Sequence, residues 1–89
     1  MIVTTSRYAS KKTRSAAIEF AKKQKSFYVA RGKKTIAQLV EFAWRKGEEK
    51  IAIVRERKGT AAVVDEIEID QWGKWKWGKS YEIPCNTYG

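Results

Sequence analysis

Histidine is absent from this 89-residue chain, and cysteine and proline occur once each, as Cys85 and Pro84. Without histidine the chain lacks the side chain that most often serves as a general base near neutral pH. A single cysteine can neither close an internal disulfide nor form a thiol–imidazole pair, and its isolation makes the cytoplasm the expected compartment. No apolar run approaches a membrane-spanning length, so no membrane partner is expected, and the N-terminus has no signal-peptide core. Asparagine and glutamine are scarce while lysine and glutamate are abundant, a composition favoured in thermophiles. The chain is 43% hydrophobic, enough for one modest core in one domain.

The most informative scarcity is of anions near the start. Residues 1–34 hold ten cations (Arg7, Lys11, Lys12, Arg14, Lys22, Lys23, Lys25, Arg31, Lys33 and Lys34) against Glu19 alone, a net +9. Residues 35–89 hold nine cations and nine anions. Solubility requires charge but not its segregation, so this asymmetry points to a face for a polyanion.

Periodicity places the elements. "MIVTT" reads as a short strand. Ser10 caps a helix running to about Lys25, with Ala17, Ile18 and Ala21 as its inward stripe. "SFYVA" reads as a second strand. "TIAQ" is a capping box, in which Thr35 bonds the amide of Gln38 and the Gln38 side chain reaches back. Ile36, Leu39, Val40 and Ala43 continue as one helical face, and Gly47 ends that helix. "KIAIVRER" is a third strand, and "KGTAAVVDEIEID" is a turn and a fourth. A turn at 59–61 sets Ile53 opposite Ile67, Ile51 opposite Ile69 and Arg55 opposite Asp65, an antiparallel hairpin. Residues 71–89, with glycines at 73 and 78, read as a turn, a short strand at most and an irregular tail packed on the domain of residues 1–70.

The expected fold is therefore a single small α/β domain of order β-α-β-α-β-β with a mixed sheet. Strand–helix–strand crossovers are right-handed and make neighbouring strands parallel. In a parallel sheet the strand-to-helix loops emerge together, beyond the carboxyl ends of the strands. The first, "SRYASKKTR", and the second, "ARGKKT", are both cationic and both lead into helix N-termini, where amides and dipole favour phosphate. The expected phosphate contacts are Arg7, Lys11, Lys12, Arg14, Arg31, Lys33 and Lys34. Ser6, Ser10 and Thr35 either add hydroxyl contacts or serve as caps. "GKKT" is not a nucleotide P-loop, because position 27 is Phe where that motif needs glycine and Lys34 separates Lys33 from Thr35.

The run "VTTSRYASKKTRS", with "YVARGKKTIAQLVEFAWRKG" and "IAIVRERKGTAAVVDEIEI", resembles the N-terminal half of a Brix-domain protein, the Imp4-like ribosome-biogenesis family, in its short archaeal form. The matching features are Thr4-Thr5-Ser6-Arg7, Ser10 with Thr13-Arg14-Ser15, Arg31-Gly32-Lys33, and Glu56-Arg57 with Gly59. The resemblance covers about residues 1–70 and stops where a typical domain of the family is about half complete. It implies a fold similar to half a Brix domain, or to the anticodon-binding domain of class IIa tRNA synthetases, and a role in binding rRNA during ribosome assembly.

The tail interleaves Trp72, Trp75 and Trp77 with Lys74, Lys76 and Lys79. Three readings fit it: tryptophans covering a sheet face, a surface for a partner protein, or stacking on unpaired bases. Trp44 belongs to the core or an interface. Glu66, Glu68 and Asp70 fall on one face of the fourth strand, where a metal-dependent nuclease would need carboxylates; a solvated face guarding an edge strand explains them as well. The reading is of an RNA-binding protein with no enzymatic activity, no metal and no cofactor, whose partners are rRNA and ribosomal or assembly proteins. A protein-interaction module using the Trp surface is the alternative, with a second copy at high concentration as a further partner.

Overall fold

The structure is a computed structural model that describes residues 1–56 and 61–84. Strands β1 (Ile2–Thr5), β2 (Phe27–Tyr28), β3 (Lys50–Glu56), β4 (Ala61–Ile69) and β5 (Trp75–Pro84) form one sheet in the order β2-β1-β3-β4-β5, with helices α1 (Lys11–Lys23) and α2 (Ile36–Arg45). β1 is parallel to both β2 and β3, whereas β3–β4 and β4–β5 are antiparallel. The path runs from β1 out to β2 and back past β1 to β3. Two right-handed crossovers in opposite directions must put their helices on opposite faces.

The core divides accordingly. Along β3, Ala52 and Val54 join Val3, Ala16, Ala17, Phe20, Ala21, Ala62 and Val64 beneath α1. Ile51 and Ile53 join Ile2, Leu39, Val40, Ala43, Ile67 and Ile69 beneath α2. Successive strand side chains alternate faces, so a central strand buried on both must be apolar throughout, as "IAIV" is. The α1 stripe differs from the expected one. Ala17 and Ala21 are buried, but Ile18 is exposed, and Thr13, Ala16 and Phe20 complete the face. Phe20 also meets Tyr81 of β5, ring centroids 6.2 Å apart.

Both helices end in Schellman motifs. In α2 the Gly47 amide donates to Trp44 and that of Glu48 to Ala43, with Gly47 at φ +76°. In α1 the left-handed position falls to Lys25, φ +53°, and the Ser26 amide reaches the Ala21 carbonyl at 2.8 Å.

Three expectations need correction. The second strand is only Phe27–Tyr28, although the Val29 amide still reaches the Val3 carbonyl at 2.8 Å. The hairpin register is displaced by two residues: Ile51 pairs with Ile67, Ile53 with Asp65, and Arg55 with Val63. A two-residue slip keeps every side chain on its own face, so the hydrophobic pattern cannot distinguish the registers. Arg55 still reaches Asp65, diagonally, Nε donating to Oδ2 at 2.6 Å. The turn assigned to 59–61 lies largely outside the described residues. Finally, the segment read as mostly irregular carries the ten-residue strand β5. Asp65 pairs with Ser80 and Ile67 with Trp77, leaving Gly78 and Lys79 both opposite Glu66. That is a β-bulge, and its glycine reads locally as a chain break.

Candidate nucleic-acid interface

The loops that follow β1 and β2 leave adjacent parallel strands toward opposite faces of the sheet. Such a divergence opens a crevice beyond the carboxyl ends of the strands. Arg31 occupies it. Its Nε donates to the Lys34 carbonyl at 2.7 Å and its Nη1 to the buried Thr5 carbonyl at 2.9 Å. One guanidinium thus joins the end of β1 to the loop before α2. Burial, and then the nearby Arg7, lower the Arg31 pKa from its ordinary value. Arg31 was expected to meet phosphate; the structure places it, only 8% exposed, as a bridge between the loops.

Of the other expected cations, Arg7 lies near enough to act on Arg31. Arg7, Lys11, Lys12, Arg14 and Lys33 are exposed. Among the described residues no salt bridge ties any of them down; the side-chain pairs are Arg45–Glu41 and Arg55–Asp65. Lys34 is partly buried, its ammonium donating to the Ala30 carbonyl at 3.3 Å.

The hydroxyl residues serve as caps, or lie within the ladder. Ser10 accepts the Thr13 amide at 3.2 Å. Thr35 accepts that of Gln38 at 3.2 Å while Gln38 Oε1 accepts the Thr35 amide at 2.9 Å, the capping box read from "TIAQ". The Ser6 amide extends the β1–β3 ladder to the Val54 carbonyl at 3.0 Å. Thr13 Oγ1 donates to Glu56 Oε1 at 3.1 Å, fastening the first turn of α1 to the end of β3. The Ser10 and Thr13 hydroxyls, with a smaller contribution from Lys12, hold the Glu56 carboxyl below its ordinary pKa.

A residue absent from the expected set stands out here. Tyr8 is 91% exposed, adopts φ +61°, and has the Arg7 guanidinium carbon 5.6 Å from its ring centroid. An aromatic among the cations of "SRYASKK" is the sequence signal for it.

The tryptophans lie at the other end of the sheet. β5 runs parallel to β3, so Trp75 sits by the amino end of the central strands, opposite Ile69. Trp75 and Trp77 share the α2 face and meet edge to face, centroids 5.6 Å apart. They are 39% and 53% exposed, with Trp72 at 71% and Trp44 at 50%, so covering the sheet does not bury them. A Cβ on Gly73, φ +81°, would stand 3.1 Å from the Trp44 indole, so the turn before β5 rests directly on that ring.

The acidic residues do not converge. Glu66 is buried and accepts the Tyr81 hydroxyl at 2.7 Å. Burial, then this carboxylate, push the Tyr81 phenol well above its ordinary pKa. Asp70 lies beyond β4 and accepts the Trp72 and Lys74 amides, each at 2.9 Å. Among the described residues no group of three His, Cys, Asp or Glu side chains could hold a metal ion, and no helix is long and apolar enough to cross a membrane.

A five-stranded mixed sheet between two helices, with both strand-to-helix loops cationic, defines a small α/β domain. No family model matches the chain. It is 36% identical over 76 residues to a Thermococcus kodakarensis protein named "Probable Brix domain-containing ribosomal biogenesis protein", and 34% identical over 76 residues to a Pyrococcus abyssi protein of the same name. These matches cover 82% of this chain but 36% and 34% of those proteins. Among solved structures it is similar to Mil, an archaeal Imp4-like protein, with a TM-score of 0.66, 29% identity and 84% of this chain covered. It is also similar to a "probable ribosomal biogenesis protein" of Aeropyrum pernix, with a TM-score of 0.72, 25% identity and 92% covered. Over the part matched, the chain resembles the Brix-domain, Imp4-like proteins; it spans about a third of the curated relatives and 46% of each solved chain.

Proposed function

We propose that this domain binds structured RNA, rRNA during ribosome assembly, through the edge formed by its two strand-to-helix loops, and has no catalytic role. The observation that carries this is the set of exposed cations without salt bridges among the described residues: Arg7 in the loop after β1, Lys11, Lys12 and Arg14 at the start of α1, and Lys33 in the loop before α2, with Arg31 joining the end of β1 to that second loop. The names of the relatives support it. In this reading residues 71–89 are part of the same domain, and the site of action is the cytoplasm.

Phosphate contacts release counterions, so RNA affinity should fall steeply with salt. About five contacts give a log–log slope of about −3.5 to −4.5. Replacing Lys11 and Lys12 by Gln should weaken binding and flatten that slope; replacing Lys46 and Lys50, outside both loops, should do less. Filter binding across a salt series measures both. A salt-independent affinity, or equal losses from the two pairs, overturns the reading.

The exposed tryptophans favour a second surface, for a ribosomal or assembly protein, at the end of the sheet away from the cations. Light scattering across a concentration series, with Trp77→Ala, tests whether a second copy occupies it.

A further inference from the structure

Tyr8 has properties that the core does not explain. It lies in the short loop between Thr5, which ends β1, and Lys11, which begins α1. Its φ of +61° is a left-handed conformation that residues with a Cβ adopt uncommonly, and glycine or asparagine would hold the same turn with less strain. The ring gains nothing from burial, being 91% exposed. The Arg7 side chain lies against it, the guanidinium carbon 5.6 Å from the centroid, a cation–π distance. Lys11 and Lys12 stand exposed in the next turn of chain, and the first turn of α1 carries no acidic residue.

These facts together describe an exposed π-surface in contact with Arg7 and three residues before the cationic first turn of α1. We infer that Tyr8 is a stacking platform for one unpaired nucleotide, whose flanking phosphates are held by Arg7, Lys11 and Lys12. This inference rests on the RNA-binding reading and narrows it to a class of RNA. A base inside a duplex has both faces covered by its neighbours and cannot reach the ring, so Tyr8 selects loops, bulges and single strands. Every base has a π-face, so the platform prefers unpaired over paired nucleotides and is indifferent to sequence.

The test uses the whole chain and two RNAs of equal phosphate number: a hairpin with 2-aminopurine in its loop, and a fully paired duplex. Tyr8→Asn removes the ring and suits the left-handed turn, while Tyr8→Phe keeps the ring. The wild-type protein should quench the 2-aminopurine and bind the hairpin more tightly than the duplex. Tyr8→Asn should lose about tenfold on the hairpin, together with the quenching, and leave the duplex affinity and the salt slope unchanged. Tyr8→Phe should behave as wild type. Equal effects of Tyr8→Asn on hairpin and duplex, or none on either, overturn the platform while salt-dependent binding keeps the cationic edge intact. Failure to bind either RNA, or indifference to Lys11→Gln with Lys12→Gln, overturns the edge and the platform with it.

Discussion

A buried arginine that donates to two backbone carbonyls behaves differently from an exposed lysine a few residues away. Arg31 and Lys33 look alike in "ARGKKT", as two cations beside a glycine. Arg31 satisfies the Thr5 carbonyl, which is separated from it by 26 positions and lies where water has little access. Removing the guanidinium leaves that carbonyl unpaired, at a cost of about 1–3 kcal/mol. Arg31→Gln should therefore lower unfolding stability by that amount in urea titrations, while Lys33→Gln stays within about 0.5 kcal/mol of wild type. If the two variants unfold alike, the bridge contributes nothing to the fold. A local motif could not reveal this division of labour, because the partner that buries Arg31 is brought in by the parallel pairing of β1 and β2. Tyr8 is legible only as an aromatic among cations, since its exposure and left-handed φ are properties of the folded loop.

The elements were legible wherever a local signal fixes them. Ser10 and Thr35 cap the helices as the sequence predicts, and Gly47 takes the left-handed position that ends α2. Long-range geometry was less legible. The hairpin register lies two residues from the expected one because face alternation tolerates that shift, and β5 is longer than expected because Gly78, which reads as a break, belongs to a bulge. One link between elements carries a pH signature. The Ser10 and Thr13 hydroxyls stabilise the ionised Glu56 carboxylate at the junction of α1 and β3. Its pKa in the folded protein is therefore below the ordinary 4.5, and the unfolded chain takes up the proton first. The stabilisation is complete above the unfolded value and is lost as pH falls through the folded one. Glu56→Gln should thus lower the melting temperature at pH 7 and converge with wild type in acid below that range. Thermal melts across pH check this, and a difference that persists unchanged into acid would assign the effect to something other than ionisation.

Across the whole molecule, charge is segregated while the fold is not. One sheet joins residues of the cationic first third to residues of the balanced remainder, since β1 pairs with β3. The folded sheet therefore fixes the separations among the cations of the net +9 first 34 residues, with Glu56 of the remainder acting on Lys12. Salt acts on this arrangement in two opposed ways. It screens repulsion among Arg7, Lys11, Lys12, Arg14 and Lys33, because the screening length shrinks from about 10 Å at 0.1 M to about 3 Å at 1 M. The free protein should accordingly melt at higher temperature as salt rises. RNA bound to the same cations stabilises the fold by mass action, and that stabilisation should disappear as salt weakens the complex. The melting temperatures of free and RNA-bound protein should therefore approach each other from opposite sides as NaCl increases, and meet where binding is lost. Calorimetry of both samples over one salt series measures the pair of curves. A free protein whose melting temperature ignores salt would mean that the loop cations are too far apart to repel, and hence too far apart to hold neighbouring phosphates of one strand.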